Sequence, residues 1–240
     1  MRIPPIHELW FCYEAVVWNA ALQRYWALIQ PRNVALEQAM ERLDRERIRL
    51  MSPDEWFAFL HDEYFRWKYT APNRYATTTS FLRRKGETQA GRQELHQIRA
   101  KILDINPANI RASIDIAKLP GLGTAGVSGL LALLYPEAFG TVDQFVVKAL
   151  REVPDLPEAS AIARMKPEGL TSRDGEVLID IMRRHAVVLT DALGTQWRPR
   201  DVDKVLWTYG RKGASNPGRA DPQRHVTHAK LPVDARACVL

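Results

Sequence analysis

Apolar residues in this chain recur at steps of three and four, segment after segment, and almost nowhere alternate at steps of two. The opening segment, 6-IHELWFCYEAVVWNAALQRYWALIQ-30, sets Leu9, Trp10, Tyr13, Val16, Val17, Ala20 and Ala21 on that rhythm, and Pro31 ends it. A charged amphipathic helix is expected over roughly 33–50, with Leu36, Met40, Leu43 and Ile48 as its stripe. Next, 52-SPDE-55 reads as a helix start: Ser52 as N-cap, Pro53 at the first helical position and Glu55 closing a capping box. That helix carries 56-WFAFLHDEYFRWKYT-70, and 71-APN-73 breaks it. The short polar stretch 77-TTTS-80 then leads into a basic patch of Arg83, Arg84 and Lys85.

Further helices are expected over about 88–104, 108–117, 124–134 and from Asp143 onward. A long one runs through 176-EVLIDIMRRHAVVLTDAL-193, with Thr171 and Asp174 as its cap, and a last covers 199–210. The fold class is therefore all-α. From about Lys212 the periodicity stops, and 212–240 reads as a flexible tail with five basic residues against two acidic ones. Residues 1–211 are left as the folded domain.

Composition narrows the function classes. Two cysteines, Cys12 and Cys238, cannot build a disulfide framework or a four-thiolate cluster, and the six histidines show no metal spacing. No metal and no cofactor is expected. No apolar run reaches the ~20 residues that span a bilayer, and no signal-peptide pattern is visible. A soluble cytoplasmic monomer is the expectation. The net charge of +6 modestly favours a polyanionic partner.

One stretch carries more than packing: 119-LPGLGTAGVSGLLALLYPEAFGTVDQFVVKAL-150. Gly121 and Gly123, around Leu122, mark a tight reversal between two helices, where glycine permits positive φ and close approach of another backbone. The helix starting at Thr124 would present unsatisfied N–H groups and a positive dipole end, a phosphate site made of backbone. Lys118, just before the turn, could add a charge or simply be a surface lysine. A plain αα turn accounts for the glycines equally well. Asp143, among Val142, Phe145, Val146 and Val147, stands where a helix should begin, the commonest place for an aspartate N-cap.

The hairpin LPGLG, the small-residue helix after it and 141-TVDQFVVKAL-150 together resemble the helix-hairpin-helix DNA glycosylase superfamily. The likeness covers about 115–151; 201-DVDKVLW-207 also looks like the closing helix of uncharacterised members. It implies a helix-hairpin-helix glycosylase-like architecture, two helical subdomains around a DNA-binding cleft, with double-stranded DNA as partner. Gly121, Leu122, Gly123 and Thr124 would bind phosphate. Asp143 would stabilise the positive charge that develops on deoxyribose when the N-glycosidic bond breaks, or activate water. Bifunctional members carry a Schiff-base lysine where this chain has Ala125, which implies a monofunctional enzyme that leaves an abasic site. The competing reading is a DNA-binding module without catalysis.

A glycosylase must also hold an extruded base by stacking and hydrogen bonds. The richest supply is 56-WFAFLHDEYFRWKYTAPNRY-75, where Phe57, Leu60 and Tyr64 share one face and Trp67 and Lys68 lie a turn further on. Such stripes are usually core. The polar groups at the helix break make Trp67, Lys68, Asn73 and Arg74 candidates for contact with DNA or the base. Leu82 and Gln144 are candidates for the wedge that fills the vacated stack. Trp10, Trp18 and Trp26 are assigned to packing.

Overall fold

The computed structural model describes residues 3–212, all-helical and without a strand among them. The tail beyond 212, with Cys238, His225 and His228, lies outside the described residues. In chain order the α-helices are α1 Ile6–Leu9, α2 Ala15–Leu28, α3 Val34–Glu41, α4 Arg45–Leu50, α5 Pro53–Ala58, α6 Phe65–Lys68 and α7 Pro72–Gly86. They continue with α8 Gln89–Leu103, α9 Ile110–Ile116, α10 Thr124–Leu134, α11 Gln144–Arg151, α12 Ala159–Arg164, α13 Ser172–Leu193 and α14 Pro199–Lys212. Buried apolar residues from Ile6 to Tyr209 form one connected cluster. Within it α14 lies against α2, α11 and α13, while α9 and α10 lie against α13.

Several boundaries follow their caps. Ser52 and Glu55 form the expected capping box on α5. Thr171 and Asp174 form another on α13, which ends at Gly194 in the left-handed conformation, φ 65°. The segment expected as one helix over 33–50 is two, because Asp44 leaves the helical path and its carboxylate caps Glu46 N of α4 at 3.1 Å. The opening segment also divides. Residues 10–14 are non-helical, and Trp18 Nε1 donates to the Cys12 carbonyl at 2.7 Å across the break. Tyr13 and Val16 are consequently exposed, and Trp18, Ala21 and Tyr25 supply the core face instead.

The 71-APN-73 break is real but short, since Pro72 is the first residue of α7. The stretch 77–80, expected as a polar link, lies inside that helix. Its hydroxyls bond back along the chain: Thr77 to Asn73 O at 2.9 Å, Thr78 to Arg74 O at 2.7 Å and Thr79 to Tyr75 O at 2.5 Å. Back-bonding of this kind satisfies the hydroxyls inside the helix rather than in a competing turn. The short helix α12 has no counterpart among the expectations.

The aromatic rod over 53–68 holds a surprise. Between α5 and α6, Phe59–Tyr64 form a π-helical turn. A π turn inserts one residue, so everything after it is rotated by about 100° relative to a continuous α-helix. Leu60 and Tyr64 are buried and Phe57 partly so, which keeps the expected face; Phe65 is buried as well. Beyond the turn, Trp67 and Lys68 meet α10.

Candidate functional site

The hairpin between α9 and α10 needs one of its two glycines for its own geometry. Gly121 has φ +85°, and a methyl group there would fall on the Thr78 carbonyl oxygen of α7. Gly123 is different. It is exposed, its φ is −80°, and a methyl group would meet nothing within 4 Å. Leu122 is buried beneath the turn, with its N–H bonded to the Leu119 carbonyl at 3.0 Å. Gly123 is the N-cap of α10, and no side chain caps the first turn of that helix. The dipole end of an eleven-residue helix is therefore open beside bare backbone.

Twenty residues on, the chain returns to the same place. Val142 N donates to Ser128 Oγ of α10 at 3.0 Å, and Thr141 N donates to Asp203 of α14 at 2.6 Å. Held by those two bonds, Asp143 caps α11: Oδ1 accepts from Phe145 N at 2.8 Å and Val146 N at 3.0 Å. Oδ2 accepts no hydrogen bond from any described residue. The N-cap role expected for this aspartate is thus present, and it occupies one oxygen of the two.

Asp143 borders a cavity of about 830 Å³ lined by residues of α2, α3, α6, α7, α10, α11 and α14. Of the residues singled out in the sequence, Gly121, Gly123, Thr124, Ala125, Trp67, Lys68, Arg74 and Gln144 line it too. Three do not. Leu122 belongs to the core. Asn73 is exposed and bonds the Arg74 N–H. Lys118 is paired with Asp115 at 2.6 Å, one turn back on α9, and borders a separate groove near Ser172 and Arg173. Leu82 is fully buried and is not available as a wedge.

The cavity floor is a charged network that the sequence reading missed. Arg200 Nη1 donates to Asp203 Oδ1 at 2.9 Å, and Nη2 donates to Glu41 at 2.8 Å and to Glu37 at 3.4 Å. Glu37 also accepts from Tyr25 Oη at 2.5 Å and from Trp67 Nε1 at 2.7 Å. Trp67 is thereby tied to the floor, with the Arg200 guanidinium over its ring, 5.5 Å from the centroid. Burial pushes the Asp203 carboxyl up to about 6, although Arg200 and the Thr141 N–H pull it down. Burial also raises the Tyr25 hydroxyl, so it stays a donor. For Arg200, burial favours loss of the proton, but Asp203, Tyr25, Glu41 and Glu37 outweigh it and keep the guanidinium charged. The only trace in the sequence is 200-RDVDK-204, whose acidic and basic residues stand three apart on an amphipathic helix.

Lys68 ends α6 at the cavity wall. Burial lowers its amine below the usual lysine range, Asp143 and Asp203 pull it back up, and Arg200 adds to the lowering. Among the described residues no cluster of histidine, cysteine or carboxylate side chains could hold a metal ion, and no helix is long and apolar enough to cross a membrane. Comparison of the chain with protein-family models, with curated proteins and with solved structures finds no match.

Proposed function

We propose that the protein is a DNA N-glycosylase that removes a damaged or chemically modified base and leaves an abasic site. One observation carries this reading above the rest: Asp143 keeps a carboxylate oxygen unused at the wall of a cavity whose rim is an open helix N-terminus. The helix-hairpin-helix likeness of 115–151 supports it.

In this reading the duplex backbone lies across the hairpin. A phosphate rests on the N–H groups at the start of α10, where Gly123 leaves room for it, and Arg74 at the cavity edge adds charge. The target nucleotide turns out of the stack into the cavity. Trp67 and Phe145 offer faces for stacking, and Glu37, Arg200 and Asp203 offer polar edges below. As the C1′–N bond breaks, the base leaves with the bonding electrons, and positive charge spreads over the sugar. Asp143 Oδ2 faces that charge and takes the proton of the water that adds to C1′. The volume lies in the upper part of the range for small-molecule sites, ~300–1,000 Å³, so a bulky base, such as a hypermodified base of foreign DNA, can be accommodated.

The two capping bonds to Oδ1 support a second reading, in which Asp143 only caps α11 and the protein binds duplex DNA without cutting. A substrate-blind assay separates the two. The protein is incubated with several genomic DNAs, including ones that carry unusual bases, and free bases are identified by mass spectrometry. Release by the native protein and loss of release with Asp143→Asn is the expected result. Duplex binding by both proteins, with no base released from any DNA, favours the binding module.

A further inference from the structure

Sequence alone implied an enzyme without a reactive amine, because position 125 is alanine. The fold brings another amine into the cavity. Lys68 reaches it over Gly129 of α10, where a methyl group would stand 3.4 Å from Lys68 Cδ and 3.3 Å from Trp67 Cζ3. The lysine stem thus lies against bare helix backbone. At its end, Nζ makes no hydrogen bond and no ion pair with any described residue; its nearest ring, Trp67, is 5.9 Å from the amine. Glu37 and Asp203 of the floor are bonded to Arg200 instead. A half-buried lysine at the wall of this cavity, uncommitted and sharing that wall with a carboxylate that has a spare oxygen, has the properties of an amine nucleophile.

We propose that Lys68 attacks deoxyribose, so that the site opens the DNA strand after base loss; the inference rests on the glycosylase reading above. The lone pair of the neutral amine forms a bond to C1′ of the ring-opened abasic sugar. The carbonyl oxygen collects two protons and leaves as water, which yields an imine between Nζ and C1′. Loss of a C2′ proton then drives electrons into the C2′–C3′ bond, and the C3′–O bond breaks with its electron pair on the departing phosphate. Water hydrolyses the imine and returns the lysine. No oxidant or reductant takes part.

The test uses an end-labelled duplex with one pre-formed abasic site, so it needs no knowledge of the target base. Full-length protein is mixed with this duplex in the presence of sodium borohydride, which reduces an imine to a stable amine. The expected result is a covalent protein–DNA adduct whose peptide mass places it on Lys68, together with cleavage 3′ to the abasic site when borohydride is omitted. Lys68→Arg and Lys68→Gln should lose both signals while still binding the duplex. No adduct with the native protein, an adduct mapped to another amine, or undiminished trapping by Lys68→Arg would each overturn the proposal. Mapping on the native protein decides the matter even where a variant folds poorly. The base-release assay reads the glycosidic step separately, so loss of the lyase inference and loss of the glycosylase reading give different results.

Discussion

Asp143 gives one oxygen to the cap of α11 and leaves the other without a bond, and a single substitution can test what the second one does. Asparagine keeps an oxygen at the capping position, and Asn and Asp are equally good N-caps. Asp143→Asn should therefore melt within a degree or two of the native protein, because the bonds to Phe145 N and Val146 N survive. Base release should fall by about 10²–10³, the usual effect of removing one transition-state electrostatic partner. Equal losses of stability and release would mean that the carboxylate serves the helix alone. The hairpin glycines separate in the same way. Gly121→Ala forces a side chain into the left-handed region, at about 1–2 kcal/mol, and onto the Thr78 carbonyl, so denaturant unfolding should show a clear loss. Gly123→Ala should cost only about 0.5–1 kcal/mol, the difference between a glycine and an alanine N-cap, yet weaken duplex binding at low salt, because its methyl occupies the approach to the α10 amides. From spacing alone the two glycines were indistinguishable: one serves the fold, the other faces outward.

At the scale of elements, what could be read in advance was whatever a local rule decides. The capping boxes at Ser52 and Thr171 needed only residues three apart, and both are present. The helix through Thr77–Ser80 was hidden because threonine and serine favour other backbone states until their hydroxyls bond back to the helix. The π turn at Phe59–Tyr64 was equally hidden, since an inserted residue leaves no mark in composition. Element packing also sets a pH dependence. His185 of α13 stacks on Trp10 at 3.7 Å and tilts against Trp18, closing α13 onto the N-terminal helices. Its Nε2 is buried without a partner, and burial pushes the imidazole down to about 3. An unfolded histidine titrates near 6.5. Between those values the unfolded chain binds a proton that the folded one does not, so acidification removes stability, by up to about 1.4 kcal/mol per pH unit. Asp203 acts in the opposite sense between about 6 and its unfolded value, because its folded carboxyl holds the proton longer. The comparison therefore has to be between variants: His185→Phe should lose less stability than the native protein between pH 6.5 and 4, as read by urea midpoints. Parallel acid profiles would show that this imidazole is not desolvated.

Across the whole molecule, buried charge joins the two ends of the chain. Glu37 and Glu41 of α3 meet Arg200 and Lys204 of α14 across 159–163 residues, and Tyr209 Oη reaches back to the Pro4 carbonyl at 2.8 Å. Partners so distant in sequence leave no periodic signal, which is why the cavity floor was illegible while its rim was not. Arg200 and Lys68 then make a test of what charge is for in this fold. Arg200 is enclosed by three carboxylates, and Arg200→Met would strand them; breaking a buried pair in this way costs about 3–5 kcal/mol. Lys68 has no such contact. Its amine pKa is lowered in the fold, chiefly by burial, so holding the proton there opposes folding rather than favouring it. Lys68→Met retains the stem that lies against Gly129 and removes only the amine. It should unfold at the same or higher denaturant concentration than the native protein, by up to about 1 kcal/mol, at neutral pH. A marked loss would make Lys68 a structural counter-ion to Asp143, Asp203 and Glu37. A gain in stability coupled to loss of borohydride trapping would mean that the amine is kept at the expense of the fold, and that only its chemistry accounts for its place in the cavity.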